Sequence, residues 1–177
     1  MGHSFEQTFS AEYPPLRAYL YKRLGHSLAE DLAAETFAVA YRRWSDLDPS
    51  RPVRPWLYGI SANLLRHYWR QERRRLRALA RSDMELLPAE DDASLDRVEA
   101  HAQKCILAAA LSELRPDDRE VLLLHAWAYL TDTEIAEALS LPTGTVKSRL
   151  HRAREQMENH FRARGQVEMN DLTPTAE

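Results

Sequence analysis

The segment Leu141–Met157, LPTGTVKSRLHRAREQM, gathers Lys147, Ser148, His151 and Arg152 at helical spacing. Set Val146 at 0° on a helical wheel. Leu150, Ala153 and Met157 then fall within about 40° of it, while Lys147, Ser148, His151, Arg152 and Glu155 lie between about 100° and 240°. That polar face holds cations and hydrogen-bonding groups suited to phosphates and base edges. Thr143 and Thr145 stand at the helix start, where free backbone N–H groups can hold a phosphate. Arg149 and Arg154 flank the seam between the two faces. The preceding TEIAEAL and its tight turn complete the spacing of a helix-turn-helix, whose second helix turns its N-terminal residues toward base edges in the major groove. Ser140 takes the turn position where glycine is usual, because φ is often positive there.

A second group of polar and aromatic residues lies upstream, in RPVRPWLYGISANLLRHYWRQERRR. Its apolar stripe is Leu57, Ile60, Leu64 and Tyr68, at the period of a half-buried helix. Trp56, Asn63, Arg66 and Arg70 point the other way, with His67 at the margin. Arg51 and Arg54 precede the helix in a proline-rich loop. Arg73 and Arg74 belong to an arginine run at its far end, which can simply solvate the helix end or meet phosphates.

These two groups need elements to carry them, and the composition supplies helices. The chain has 177 residues, of which 44% are hydrophobic, with only 5 Gly. Ala, Leu, Arg and Glu, all good helix formers apart from packing effects, dominate. No strand pattern and no internal repeat is evident. A first helix is expected from Phe5 to Arg23, with a possible interruption at Pro14 and Pro15, and Gly25 terminates it. Ser27 and Glu30 match a capping box opening a second helix to Trp44. The third helix is expected to run from about Trp56 to Arg75 or beyond, and Pro55 can serve at its first helical position. Pro116 opens a later helix with Asp117 and Asp118 in its first turn, where the helix dipole favours them. Thr131 and Glu134 form another capping box, and Thr143 is expected to cap the last helix.

The formal net charge of −3 gives no hint of a nucleic-acid partner, but its distribution does. Residues 42–81 carry 11 Arg against 3 acids, residues 83–100 carry 7 acids against Arg97, and residues 147–164 carry 6 basic residues against 2 acids. Two basic blocks around an acidic one imply two anion-binding surfaces joined by a linker. The single Cys105 excludes an intrachain disulfide framework and reads as a core thiol. The His residues form no metal-ligand pattern. No apolar run approaches the roughly 20 residues of a membrane span, and the N-terminus lacks the apolar core of a signal peptide. A cytoplasmic protein without membrane insertion, cofactor or structural metal is expected.

With the helix-turn-helix at its C-terminal end and EDLAAETFAVAYRRW…RPVRPWLYGISANLLRHYWRQERRR before it, the chain resembles an extracytoplasmic-function (ECF) sigma factor of bacterial RNA polymerase. The resemblance spans about Phe5 to Arg164, and GTVKSRLHRAR is close to the family's usual wording. It implies an all-α fold of two small helical domains joined by an acidic linker. The expected boundaries are a σ2-like domain at 1–81, the linker at 82–100, a σ4-like helix-turn-helix domain at 101–165, and a disordered tail at 166–177.

The resemblance also implies roles. Asp31, Glu35, Phe37 and Tyr41 would face core RNA polymerase, through its β′ and β subunits; Ala34 stands where the family usually has Gln. Arg51, Arg54, Trp56, Asn63, Arg66, His67, Arg70, Arg73 and Arg74 would engage the −10 element of promoter DNA. An opened strand needs cations for phosphates and aromatic faces or pockets for unstacked bases. Thr143, Thr145, Lys147, Ser148, Arg149, His151 and Arg152 would engage the −35 duplex. A controlling anti-sigma factor is expected as a further partner, and no catalytic residue. The alternative is a conventional helix-turn-helix regulator that binds duplex DNA without polymerase, as a dimer on a palindrome.

Overall fold

The computed structural model describes residues 4–48, 50–79 and 106–163, with 71–79 as backbone. All regular structure among the described residues is helical. The expected linker, Cys105 and the tail lie outside them.

Helix α1 (Phe5–Leu24) runs unbroken through Pro14 and Pro15. The two prolines remove the N–H groups that would bond the carbonyls of Ser10 and Ala11. Both of those residues are exposed, so water can take the carbonyls instead. Gly25, at φ 78°, ends α1 with its N–H on the Tyr21 carbonyl at 3.0 Å. Helix α2 (His26–Arg42) follows at once, so Ser27 is already inside it and the expected capping box does not form. Glu30 instead pairs with Arg17 at 3.0 Å. After a 3-10 turn at Trp44–Asp46, helix α3 (Val53–Leu79) begins earlier than its apolar stripe suggests. Pro55 still lies in the first turn, where an N–H has no helical partner.

The second half contains a helical stretch at 106–113 (α4), then α5 (Pro116–Ala128), α6 (Asp132–Leu139) and α7 (Thr143–Ala163). Tyr129, at φ 56°, terminates α5, and the Leu130 N–H returns to the Leu124 carbonyl at 3.2 Å. The capping box of α6 forms: Thr131 N–H donates to Glu134 Oε2 at 2.8 Å, and Glu134 N–H donates to Thr131 Oγ1 at 3.3 Å. Ser140 adopts φ 53°, ψ 48°, the left-handed turn its position requires. Thr143 is the first residue of α7 rather than its cap. The Pro142 carbonyl accepts from the Thr145 and Val146 N–H groups at 2.9 and 3.2 Å.

The two halves share one apolar core, which runs from Leu16, Phe37 and Leu57 through Val121 and Leu124 to Ile135 and Leu150. This is why α3 is buried on more than the expected stripe. Besides Leu57 and Ile60, it buries Tyr58, Ser61, Ala62 and Leu65, since α2 covers one side and α6 another. Polar contacts line the seam. Arg23 of α1 forks onto Glu120 of α5, Nη1–Oε1 and Nη2–Oε2 both at 2.8 Å. Arg23 also donates to the Tyr19 hydroxyl. Burial pushes the Tyr19 phenol well above its usual range, and the Glu120 charge adds to this, so the phenol stays neutral.

Candidate nucleic-acid interface

The recognition-helix reading rests on α7, and its two faces separate as the wheel requires. Val146, Leu150, Ala153 and Met157 are buried, whereas Lys147, Ser148, His151, Arg152 and Glu155 are exposed. Thr143 is exposed and Thr145 half-buried at the helix start. The Ser148 hydroxyl donates to the Thr145 carbonyl at 3.0 Å, a back-bond that ties it to its own helix. Three arginines of α7 are tied to α5. Arg149 pairs with Asp117 at 3.1 Å, Arg152 with Asp118 at 2.8 Å, and Arg154 Nη2 lies 2.9 Å from His125 Nε2. Of these, Arg149 is turned toward the seam and lines the cleft between the halves.

The second surface follows α3. Asn63, Arg66, His67 and Arg70 are exposed along one face. Arg66 Nη2 donates to Asn63 Oδ1 at 3.0 Å, a bond that uses the amide oxygen and leaves the N–H₂ group as the donor side of Asn63. In the preceding loop, Asp48 Oδ1 accepts from the Ser50 N–H at 2.9 Å and its hydroxyl at 2.7 Å. Those bonds hold the Asp48 carboxyl below the usual carboxylate range. The Arg51 N–H on the Asp48 carbonyl, at 3.0 Å, fixes the same turn and leaves the Arg51 residue exposed. Arg73 and Arg74 lie on α3, their side chains outside the description.

Two members of the expected −10 set are placed otherwise. Arg54 donates from Nη2 to the Ala128 carbonyl at 2.9 Å, lies over the Tyr58 ring at 5.7 Å, and faces Glu12 at 3.8 Å. It belongs to the seam between the halves in this state. Trp56 is half-buried against Trp44, ring centroids 6.1 Å apart, rather than turned fully outward.

On α2, Asp31 and Glu35 are exposed one turn apart, and Tyr41 is 67% exposed. Phe37 differs: at 3% exposure it sits inside an aromatic group with Phe5, Phe9 and Tyr13. Asp31, Glu35 and Tyr41 are thus open to solvent, whereas Phe37 belongs to the core.

Sequence reasoning missed Arg23, Glu120 and Gly59. The first two carry no local signal. Gly59 did: an isolated glycine in a helical pattern marks a close approach, here to the backbone of Ala138.

An all-helical protein with a basic α3 face and a C-terminal helix-turn-helix defines a class of DNA-binding transcription proteins, and comparison with known proteins narrows it. The sequence matches the family described as sigma-70 region 2 over residues 8–75 and that described as sigma-70, region 4 over residues 106–157. The RNA polymerase sigma-E factor of Streptomyces coelicolor is 33% identical over 136 residues, covering 77% of this chain and 73% of that one. The ECF RNA polymerase sigma factor SigL of Mycobacterium tuberculosis is 31% identical over 126 residues, covering 71% and 70%. Among solved structures, the sigma factor RpoE of Bartonella quintana, in complex with the anti-sigma factor NepR, matches with a TM-score of 0.63 at 26% identity over 89% of this chain and 96% of that one. The chain belongs to the ECF sigma factors of the sigma-70 family.

Proposed function

We propose that this chain is a promoter-specificity subunit whose α3 face captures an opened −10 strand while α7 reads the −35 duplex. Core polymerase would be held through Asp31, Glu35 and Tyr41 on α2. Nothing in this role needs a catalytic group of its own; capturing the unpaired strand makes opening favourable. Its setting would be the cytoplasm, with polymerase. Among the described residues no helix is long and apolar enough to cross a membrane. An anti-sigma partner fits the same reading, given the complex known for the Bartonella quintana relative.

The observation that carries the proposal is the presence, on one chain, of two separate exposed polar faces of the right kinds. Asn63, Arg66 and Arg70 stand on α3, and Lys147, Ser148 and His151 on α7. Geometry then sets a requirement. The names −10 and −35 put the two elements about 25 base pairs apart, about 85 Å of B-form DNA. A compact chain of this size has a radius of gyration of about 16 Å, so the closed state cannot touch both. Polymerase must separate the halves and fix their spacing, after which two weak sites act as one tight one.

Run-off transcription with bacterial core enzyme and mapping of start sites is the direct test. The chain is expected to direct core enzyme to discrete start sites preceded by shared −35 and −10 sequences. A gel shift without polymerase separates the alternative, since a conventional regulator would bind its duplex site unaided.

A further inference from the structure

Asp118 stands at the third position of α5 and is 1% exposed, yet both its carboxylate oxygens are engaged by a residue of the recognition helix. Arg152 Nε lies 3.2 Å from Oδ2, and Nη2 lies 2.8 Å from Oδ1. This side-on fork uses two of the five guanidinium N–H bonds. The remaining edge, formed by Nη1 and the second N–H of Nη2, keeps two parallel donors in the guanidinium plane. The Arg152 side chain is 47% exposed while the Asp118 side chain is 2% exposed, so the pairing leaves much of Arg152 open to solvent and does not occupy the remaining edge. That edge has the geometry for O6 and N7 of a guanine in the major groove.

The neighbouring arginines are held differently. Asp117, the partner of Arg149, is itself 71% exposed and offers one contact. Arg154 meets a single imidazole nitrogen. Neither is clamped in plane by an immobile anion.

We propose that Asp118 is a specificity-determining positioning residue, which orients Arg152 to present its free edge to a guanine of the −35 duplex. This rests on the assignment of α7 to that duplex. An unclamped arginine loses rotamer freedom on binding and can swing to a phosphate, where it adds affinity without discrimination. Arg152 is already oriented before DNA arrives, so its bonds go into telling guanine from other bases.

The test uses holoenzyme reconstituted with the full chain and a promoter library randomised across the −35 element, read out as base preference at each position. The wild type is expected to favour guanine at one position. Arg152→Lys keeps a charge for Asp118 but lacks the second edge, and should weaken that preference by about fivefold or more, the lower bound for losing a bidentate base pair contact. Asp118→Asn should weaken the same preference and add nothing in the Arg152→Lys background, leaving preferences at other positions in place. Asp118→Glu, which displaces the carboxylate while keeping its charge, serves if the Asn variant does not fold. An equal drop across all −35 sequences for the Asp118 variants would reduce this residue to a brace, and an intact guanine preference in Arg152→Lys would overturn the proposal. A wild type without any −35 preference would instead remove the assignment of α7 itself.

Discussion

A β-carbon on Gly59 would lie 2.6 Å from the carbonyl oxygen of Ala138, so at this crossing the backbone of α3 touches that of α6. The crossing joins α3 to the first helix of the helix-turn-helix. Replacing Gly59 by Ala improves the intrinsic helix propensity of α3 by about 1 kcal/mol. It also creates an overlap with main-chain atoms, which cost about 1–3 kcal/mol to displace. The penalty falls only on the docked state. Gly59→Ala is therefore expected to raise the radius of gyration by small-angle X-ray scattering while far-ultraviolet circular dichroism stays unchanged.

The fork between Arg23 and Glu120 crosses the same seam with both side chains largely buried. Removing one partner from such a pair costs about 3–5 kcal/mol, because the other charge is left uncompensated. Glu120→Ala should lower the urea midpoint of the closed chain. Arg23→Leu with Glu120→Leu should recover most of the loss, since neither charge then remains to be solvated. A double variant no better than the single one would contradict this account.

Asn63 presents an amide donor beside Arg66. Asn63→Ala is expected to reduce permanganate reactivity of unpaired thymines in the melted region several-fold, with closed-complex formation little altered. Equal effects on the two steps would place Asn63 outside strand capture.

Asp31 and Glu35 offer two carboxylates on an exposed stretch of α2. Asp31→Lys and Glu35→Lys should each weaken core-polymerase binding in a competition assay by about tenfold, ~1.4 kcal/mol. Phe37→Ala should instead destabilise the fold by about 3–5 kcal/mol, as expected for a buried aromatic side chain.

Much of this architecture is legible from local pattern. The period of 3.6 residues separated the faces of α7, and the buried set Val146, Leu150, Ala153 and Met157 follows it. The capping box at Thr131 and Glu134 formed because both partners lie within one turn. The box expected at Ser27 failed because Gly25 turns the chain so tightly that α2 starts before Ser27. The prolines of α1 did not break it: Ser10 and Ala11, whose carbonyls lose their helical partners, are exposed residues where water can replace the missing bonds.

What the sequence alone determined, then, was the helices, the faces they present and, through its motifs, the family. Only the tertiary structure decided which charged groups are free. Arg54 is bound to a carbonyl 74 residues away, Arg152 to a carboxylate 34 away, and Arg23 to one 97 away. Periodicity and capping act within a turn or two of the chain, so they leave a trace at fixed spacing. Partners brought together by packing leave none.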